Sequence, residues 1–260
     1  MDKQRLVVWF SCGAASAVTA KICLSLYAEK YDICIARCFV ANEHSDNDRF
    51  AADCERWLQH PIVTLRNDEY ADCWEVWEKA QYLTNSRGGS PCTAFMKKSV
   101  RYKFEDEWKP DFQAFGYTLE ETKRADIFRQ NNPEVTLLTP LIDKYLSKKD
   151  CLSLIEQAGI DLPMMYRLGF NNNNCIGCVK GGMGYWNRIR VYFPDVYDRM
   201  AKLERKYGYA LFQKGGKPLY LDELPPLYAD TVSVGGAPQS GGGEKEDEGW
   251  ASNGTGMIIY

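Results

Sequence analysis

Residues 5–16 read RLVVWFSCGAAS, an apolar run followed directly by small residues. The run at 5–10 predicts a strand buried on both faces of a parallel sheet, and a helix is predicted at 16–30. Because small residues join the two, backbone N–H groups there can approach a phosphate, and the helix dipole adds partial positive charge. A plain tight turn is the alternative. The spacing matches neither the G-x-x-x-x-G-K-[ST] phosphate loop nor the G-x-G-x-x-G dinucleotide fingerprint.

Strands and helices alternate through the first 160 residues. Strands are predicted at 32–40, 61–66, 111–117 and 135–139, and helices at 46–59, 71–83, 94–108, 119–130 and 148–158. This alternation predicts an α/β fold, a Rossmann-like parallel sheet with helices on both faces. Ligands of such sheets bind at the carboxyl ends of the strands, which places the loops at 11–16, 41–46 and 116–124 on one rim.

The pattern changes after residue 160. A loop rich in Asn and Gly leads into a helical pair near 185–207, and residues 232–256 combine many glycines with the acidic run EKEDE. We therefore predict an α/β nucleotide-binding domain over 1–160 and a cysteine-loop and helical region, packed on it, over 161–228. The tail at 229–260 is predicted to be disordered.

Composition excludes several classes of protein. A 45% apolar fraction with 13% aromatic residues excludes global disorder. The net charge of -3 argues against coating nucleic acid by bulk charge, although it allows a local basic groove. We find no apolar run near the roughly 20 residues of a membrane span, and no signal peptide at the N-terminus. The expected location is the cytoplasm, without a membrane partner.

The ten cysteines divide into two groups. In a reducing compartment we expect no disulfide framework. Six lie among apolar residues and are predicted to be small buried hydrophobes, namely Cys23, Cys34, Cys38, Cys54, Cys73 and Cys151. Four lie in loops flanked by Gly or Pro, namely Cys12, Cys92, Cys175 and Cys178. Of these, the pair Cys175-Ile176-Gly177-Cys178 lets two thiolates converge on a metal or cluster. A zinc site with a fourth ligand and a redox pair or inert thiols are the alternatives.

Charged and aromatic side chains supply further candidates. Cys12 is either a low-pKa thiolate at a helix N-terminus or merely a small residue. Cations that can hold an anionic substrate, unless they are solvated, are Lys97, Lys98, Arg101, Lys103, Arg124, Lys180, Arg188 and Arg190. Carboxylates on the predicted rim that can hold Mg²⁺ or a ribose hydroxyl are Glu43, Asp46, Glu120 and Glu121. Tyr185 and Trp186 either stack on a base or pack in the core.

Several motifs carry a resemblance to a known family. SCGAAS resembles the S-G-G-x-D-S loop of the PP-loop ATP pyrophosphatases. The segments that resemble their phosphoadenylyl-sulfate (PAPS) reductase branch, in family order, are GGSPCTAFMKKSVR (88–101), FGYTLEETKRA (115–125), TPLIDKYLSKKDCLSLIEQAGIDLPMMYRLGF (139–170) and NCIGCVKGGMGYWNRIRVYFPDVYDRM (174–200). With HSDNDRF at 44–50, the pattern is most similar to the PAPS-reductase-like proteins often found in bacteriophages.

The resemblance implies a nucleotide site and a cluster. It implies that Ser11, Gly13 and Ser16 hold the phosphate or sulfate end of ATP, PAPS or adenylyl sulfate, with Mg²⁺ as an additional cofactor. The nucleotide site then comprises Ser11, Cys12, Gly13, Ala14, Ala15, Ser16, Glu43, Asp46 and Gly116, and the catalytic candidates are Cys12, Lys97 and Arg124. Ala14 and Ala15 depart from the ATP-splitting pattern. Cys92 aligns with a cluster-binding cysteine, so that Cys92, Cys175 and Cys178 would hold a [4Fe–4S] cluster with one iron open.

Three functions follow from the resemblance. The favoured one is ATP-dependent sulfur transfer, a thiolation, with nucleic acid as the acceptor. The second is reduction of PAPS or adenylyl sulfate to sulfite, which is disfavoured because no cysteine follows Cys178. The third is an inactive adenine-nucleotide-binding protein. The expected partners are the nucleotide, the acceptor, a protein that donates sulfur or electrons, and a second copy of the chain in a homodimer.

Overall fold

The computed structural model describes residues 3–84 and 89–226. The predicted disordered tail at 229–260 therefore lies outside the described residues. Within them the chain forms two compact units, one from 3–76 and 92–174, the other from 77–84, 89–91 and 175–226. The second unit is therefore discontinuous in sequence, because it combines the segment before Cys92 with the chain from Cys175 onward. The domain boundary at residue 160 stays a prediction. No helix in these described ranges combines the length and apolar character needed to cross a bilayer.

A five-stranded parallel sheet in the order β3-β2-β1-β4-β5 organises the first unit. Its strands β1 to β5 are Gln4–Trp9, Tyr31–Cys38, Ile62–Leu65, Phe112–Ala114 and Leu137–Leu138. The helices α1 to α9 are Ala14–Tyr27, Asp46–Leu58, Cys73–Ala80, Pro91–Thr93, Ser99–Trp108, Thr122–Asn131, Pro140–Asp143, Lys148–Gln157 and Met164–Arg167. The predicted α/β class is confirmed.

Helices cover both faces of the sheet. Leu6 and Val8 of β1 belong to one apolar cluster, which includes residues of α1, α2 and α8. Val7 and Trp9 belong to another, which includes residues of α6. Since side chains alternate between the faces of a strand, these two clusters lie on opposite faces, which explains the unbroken apolar run at 5–10.

Element boundaries differ from the sequence prediction at several points. The helix predicted at 46–59 is α2 at Asp46–Leu58, with Ser45 at its N-cap position and Gln59 after its last turn. The helix predicted at 94–108 is interrupted, because Ala94–Lys98 forms a π-helical turn before α5. Short helices α7 and α9 were not predicted, since a single turn carries no usable hydrophobic periodicity.

Two helices and a hairpin form most of the second unit. Its elements are α10 at Met183–Tyr192, α11 at Pro194–Tyr207 and the antiparallel strands β6 at Phe212–Lys214 and β7 at Lys217–Leu219. Glu204 of α11 is fully buried, and its carboxylate accepts the N–H groups of Leu211 at 2.6 Å and Leu221 at 2.7 Å. This carboxylate joins α11 to the segments on both sides of the hairpin.

Candidate functional site

The segment between β1 and α1 leaves the amino end of a buried helix open. Gly13 is the N-cap of α1 and has no side chain to cap the first N–H groups. Gly116, just after β4, packs against this turn so closely that an added Cβ would lie 2.8 Å from the Ser16 nitrogen. Only glycine, which lacks a Cβ, allows this approach. Gly116 therefore forms part of the candidate site through its close contact with the turn.

Two serines stabilise the turn from within. The buried Ser16 hydroxyl donates to the Gly13 carbonyl at 2.8 Å and accepts from the Ser11 N–H group at 3.0 Å. The Ser11 hydroxyl lies 3.3 Å from it. Because the one donor of the Ser16 hydroxyl is used on Gly13, Ser16 shapes the loop here rather than offering a hydroxyl to a ligand.

Cys12 has a left-handed backbone with φ of 56° and is 1% exposed. Burial, with a contribution from the Glu43 carboxylate, raises the pKa of the Cys12 thiol to about 12. The Arg37 guanidinium, 3.5 Å from the sulfur, offsets this only in part. Of the two alternatives for Cys12, the raised pKa of its thiol favours the small buried residue over the low-pKa thiolate, because desolvation disfavours the charged form.

A small cavity adjoins the loop at the carboxyl ends of β1 and β2. Its volume is about 20 Å³, enough for roughly one water molecule. The residues that line it are Trp9, Phe10, Ser11, Cys12, Arg37, Cys38, Glu43 and Lys97. The Lys97 ammonium pairs with Glu43 at 3.1 Å, which brings two of the predicted residues together.

Arg37 is a site residue that the sequence reasoning missed. It lies in β2, is 7% exposed, pairs with Asp48, and its Nε has no hydrogen-bond partner among the described residues. The sequence does signal Arg37, as a charge in the interior of the largely apolar strand DICIARCFV. A buried cation needs an ion-pair or hydrogen-bond partner, which the interior of a strand seldom provides.

Two asparagines were also missed. The Asn173 amide donates to the Cys12 carbonyl at 2.7 Å and to Asn47 Oδ1 at 2.8 Å. The buried Asn47 in turn donates to Glu43 at 3.1 Å. Both residues lie in polar stretches, HSDNDRF and NNNN, where no pattern distinguishes them from solvated loop residues.

Other predicted rim residues form local contacts. Asp46 pairs with both ends of the Arg49 guanidinium and accepts the Met164 N–H group at 2.8 Å, which lowers the pKa of its carboxyl. Glu120 accepts the Lys148 N–H group at 3.2 Å. Both carboxylates join segments of the first unit, and metal or ribose binding would require them to release these partners.

Arg124 lies beyond the carboxyl end of β4. Its guanidinium pairs with Glu121 and lies 5.3 Å from the Tyr117 ring centroid. Its side chain is 29% exposed. Arg124 thus lies on the rim that Gly116 also occupies, and binding an anion there would require it to release or share Glu121.

Three of the remaining predicted cations have structural roles. Arg101 is 1% exposed and pairs with Glu105 at 2.9 Å. Lys103 is exposed and pairs with Asp68. Arg190 donates to the Leu224 carbonyl at 2.6 Å within the second unit. These three cations therefore do not extend the candidate site.

The Cys175–Cys178 pair lies in a turn that Tyr185 holds closed. The Tyr185 hydroxyl donates to the Cys175 carbonyl at 2.5 Å and accepts the Cys178 N–H group at 2.9 Å. Gly177 supplies the left-handed residue of the turn, with φ of 82°. Both cysteines are half-buried. Trp186 is fully buried against Tyr197, so core packing rather than base stacking describes it.

The turn offers two thiols that suit a metal ion. No group of three or more His, Cys, Asp or Glu side chains that could hold a metal ion occurs in the described part of the chain. Cys92 is half-buried in α4 and belongs to the first unit, whereas the C-x-x-C turn belongs to the second. The three-cysteine cluster therefore stays a prediction.

Neither a family model nor a curated protein matches the chain. Similar solved structures include the U34-tRNA thiolase NcsA from Methanococcus maripaludis with its [4Fe–4S] cluster, at 16% identity and a TM-score of 0.47, covering 80% of this chain and 68% of that one. A phosphate complex of PAPS reductase from Candida auris shares 10% identity with a TM-score of 0.44, covering 63% of this chain and 77% of that one. A predicted subunit of tRNA methyltransferase from Methanocaldococcus jannaschii shares 17% identity with a TM-score of 0.36, covering 59% and 74%.

With identities of 10–17% and TM-scores below 0.5, these likenesses transfer no activity to the chain.

Proposed function

We propose that the chain is an adenine-nucleotide-dependent enzyme that holds the phosphate or sulfate end of its nucleotide on residues 11–16. One observation carries this proposal: the uncapped amino end of α1 adjoins a cavity lined by the Arg37 and Lys97 cations, at the carboxyl ends of β1 and β2. Helix N–H groups with nearby cations bind anions, and this edge of a parallel sheet is where ligands bind.

The size of the cavity limits how the nucleotide binds. A volume of about 20 Å³ admits one water-sized group and excludes a base or a ribose. The nucleotide therefore lies along the open rim, with its anionic end against the turn between β1 and α1. Arg124 and Gly116 lie on the same rim and complete the proposed site.

Sulfur transfer is the reaction that the remaining features favour. The Cys175–Cys178 turn presents two half-buried thiols on a main chain that Tyr185 fixes. A [4Fe–4S] cluster held there with Cys92 would supply an open iron for sulfide. The proposed acceptor is nucleic acid, with a separate protein donating sulfur or electrons.

Reduction of PAPS or adenylyl sulfate is the second candidate. It requires a thiolate nucleophile, and the buried, neutral Cys12 thiol does not provide one. The nucleophile would then have to be one of the half-buried cysteines Cys92, Cys175 and Cys178. An inactive protein of this fold would bind the nucleotide without turnover of either kind.

The nucleotide site is tested by substitution of Gly116. In Gly116→Ala the added methyl group overlaps the α1 backbone at Ser16 and Ala15, and neither segment is a flexible side chain that can move away. Such overpacking costs about 1–3 kcal/mol and is relieved by moving the turn that would hold the anion. If that cost appears in binding, the affinity for ATP and PAPS in calorimetric titration should fall by about fivefold or more.

Gly182→Ala is the matched control, because a Cβ at Gly182 meets nothing within 4 Å. Its nucleotide affinity should equal that of the wild type. Undiminished binding by a folded Gly116→Ala variant would exclude the turn as the nucleotide site.

A further inference from the structure

We propose that Asn173 is a positioning residue of the nucleotide loop: through the Cys12 carbonyl it fixes the direction of the Gly13 N–H group. The inference rests on the proposed function, since it assigns that N–H group to the anionic end of the nucleotide. It adds a residue from a distant part of the chain, 161 positions after Cys12.

The planar trans peptide bond carries the first step. The Cys12 carbonyl and the Gly13 N–H group belong to one peptide unit, in which they point in opposite directions. Asn173 Nδ2 donates to this carbonyl at 2.7 Å. The carbonyl is therefore held toward Asn173, and the Gly13 N–H group is directed to the other side.

The conformation of Cys12 gives the second step. Non-glycine residues seldom adopt a left-handed backbone, and they keep it only where surrounding contacts require it. At Cys12, with φ of 56°, these contacts are the Asn173 amide on the carbonyl and the Arg37 guanidinium on the sulfur. Without Asn173 the Cys12 carbonyl loses this hydrogen bond, and the peptide after Cys12 is held only by the contacts of Gly13 and Ser16.

The surrounding hydrogen bonds fix the orientation of the Asn173 amide. A carbonyl only accepts, so the amide nitrogen must face Cys12. The same nitrogen donates to Asn47 Oδ1, whose own nitrogen donates to Glu43, which pairs with Lys97. Asn173 Oδ1 is buried without a partner in the described residues. The two hydrogen bonds that its nitrogen donates, to the Cys12 carbonyl and to Asn47, therefore determine the orientation of the Asn173 amide.

The test separates the two ends of the nucleotide. Full-length protein is titrated with pyrophosphate, ATP and adenosine. For Asn173→Ala we expect the affinity for pyrophosphate and ATP to fall about tenfold, because an N–H donor is lost from the anion site. Adenosine affinity should stay within about twofold of the wild type, since adenosine does not use that donor. A general structural defect would weaken all three.

Asn171→Ala is the matched control from the same NNNN run, because the Asn171 side chain is exposed and only its main-chain carbonyl accepts a hydrogen bond, from Lys148. It should bind all three ligands as the wild type does. If Asn173→Ala does not fold, Asn173→Leu, which retains the volume of the side chain and cannot donate, takes its place.

The outcomes distinguish the two proposals. The inference alone is overturned if Asn173→Ala binds pyrophosphate and ATP as tightly as the wild type does. It is also overturned if the affinity for adenosine falls as much as the affinity for pyrophosphate and ATP. Failure of the wild type to bind any of the three ligands overturns the proposed function and the inference together.

Discussion

The buried carboxylate of Glu204 should make the second unit less stable as the pH rises. Burial raises the pKa of Glu204 from 4.5 to about 7, although two N–H groups donate to it. The folded state therefore holds a proton that the unfolded state releases at lower pH, and stability falls as the pH rises from about 4.5 to about 7. The difference between these pKa values corresponds to roughly 3 kcal/mol.

Urea unfolding of the wild type and Glu204→Gln at pH 5 and pH 8 measures this effect. Glutamine cannot ionise. Between pH 5 and pH 8 the wild type should therefore lose up to roughly 3 kcal/mol of unfolding free energy relative to Glu204→Gln.

The control is Glu223→Gln. Hydrogen bonds from Arg205 lower the pKa of the exposed Glu223, so its contribution is present above its unfolded pKa and is lost as the pH falls. The wild type should therefore not lose unfolding free energy relative to Glu223→Gln between pH 5 and pH 8. A Glu204→Gln difference that is the same at pH 5 and pH 8 would refute the buried-proton explanation.

Two further predictions concern the cysteines. Since the Cys12 thiol is buried and neutral, iodoacetamide at pH 8 should alkylate Cys175 and Cys178 well before Cys12 in protein first stripped of metal by a chelator, as measured by peptide mass spectrometry. Preferential labelling of Cys12 would contradict its raised pKa. Protein purified without oxygen should contain about four irons and four sulfides per chain, and Cys175→Ala should lose the absorbance at about 400 nm; an unchanged spectrum would exclude Cys175 as a ligand, and zinc in place of iron would exclude the cluster.

The main sheet was predictable because its central strands are long, largely apolar runs of sequence. RLVVWF and DICIARCFV are apolar on both faces, and the structure places them at the centre of the sheet as β1 and β2. The hairpin β6–β7 was not predicted, since its strands FQK and KPL are too short for a period-two pattern. Short elements are defined by tertiary contacts rather than by their own sequence.

The sequence indicates the backbone of the candidate site more readily than its electrostatics. The motif resemblance points to Gly116, and the close approach of Gly116 to Ser16 is a physical reason for glycine at that position. The sequence leaves Cys12 open between a thiolate and a small residue, because the pKa of the thiol depends on burial that a sequence does not display. Asn173 was missed because its partners lie more than 100 residues away in the chain.

The π-helical turn at Ala94–Lys98 fixes the angular phase of the segment that follows. A π turn carries one residue more than the α-helical turn it replaces, so every later side chain is rotated by about 100° around the axis. Within the turn Lys97 meets Glu43 at the cavity, and after it Arg101 is buried against Glu105. A chain of this fold one residue shorter here would present a different side chain to Glu43. Spacing, as much as residue identity, therefore determines which cation reaches the nucleotide rim.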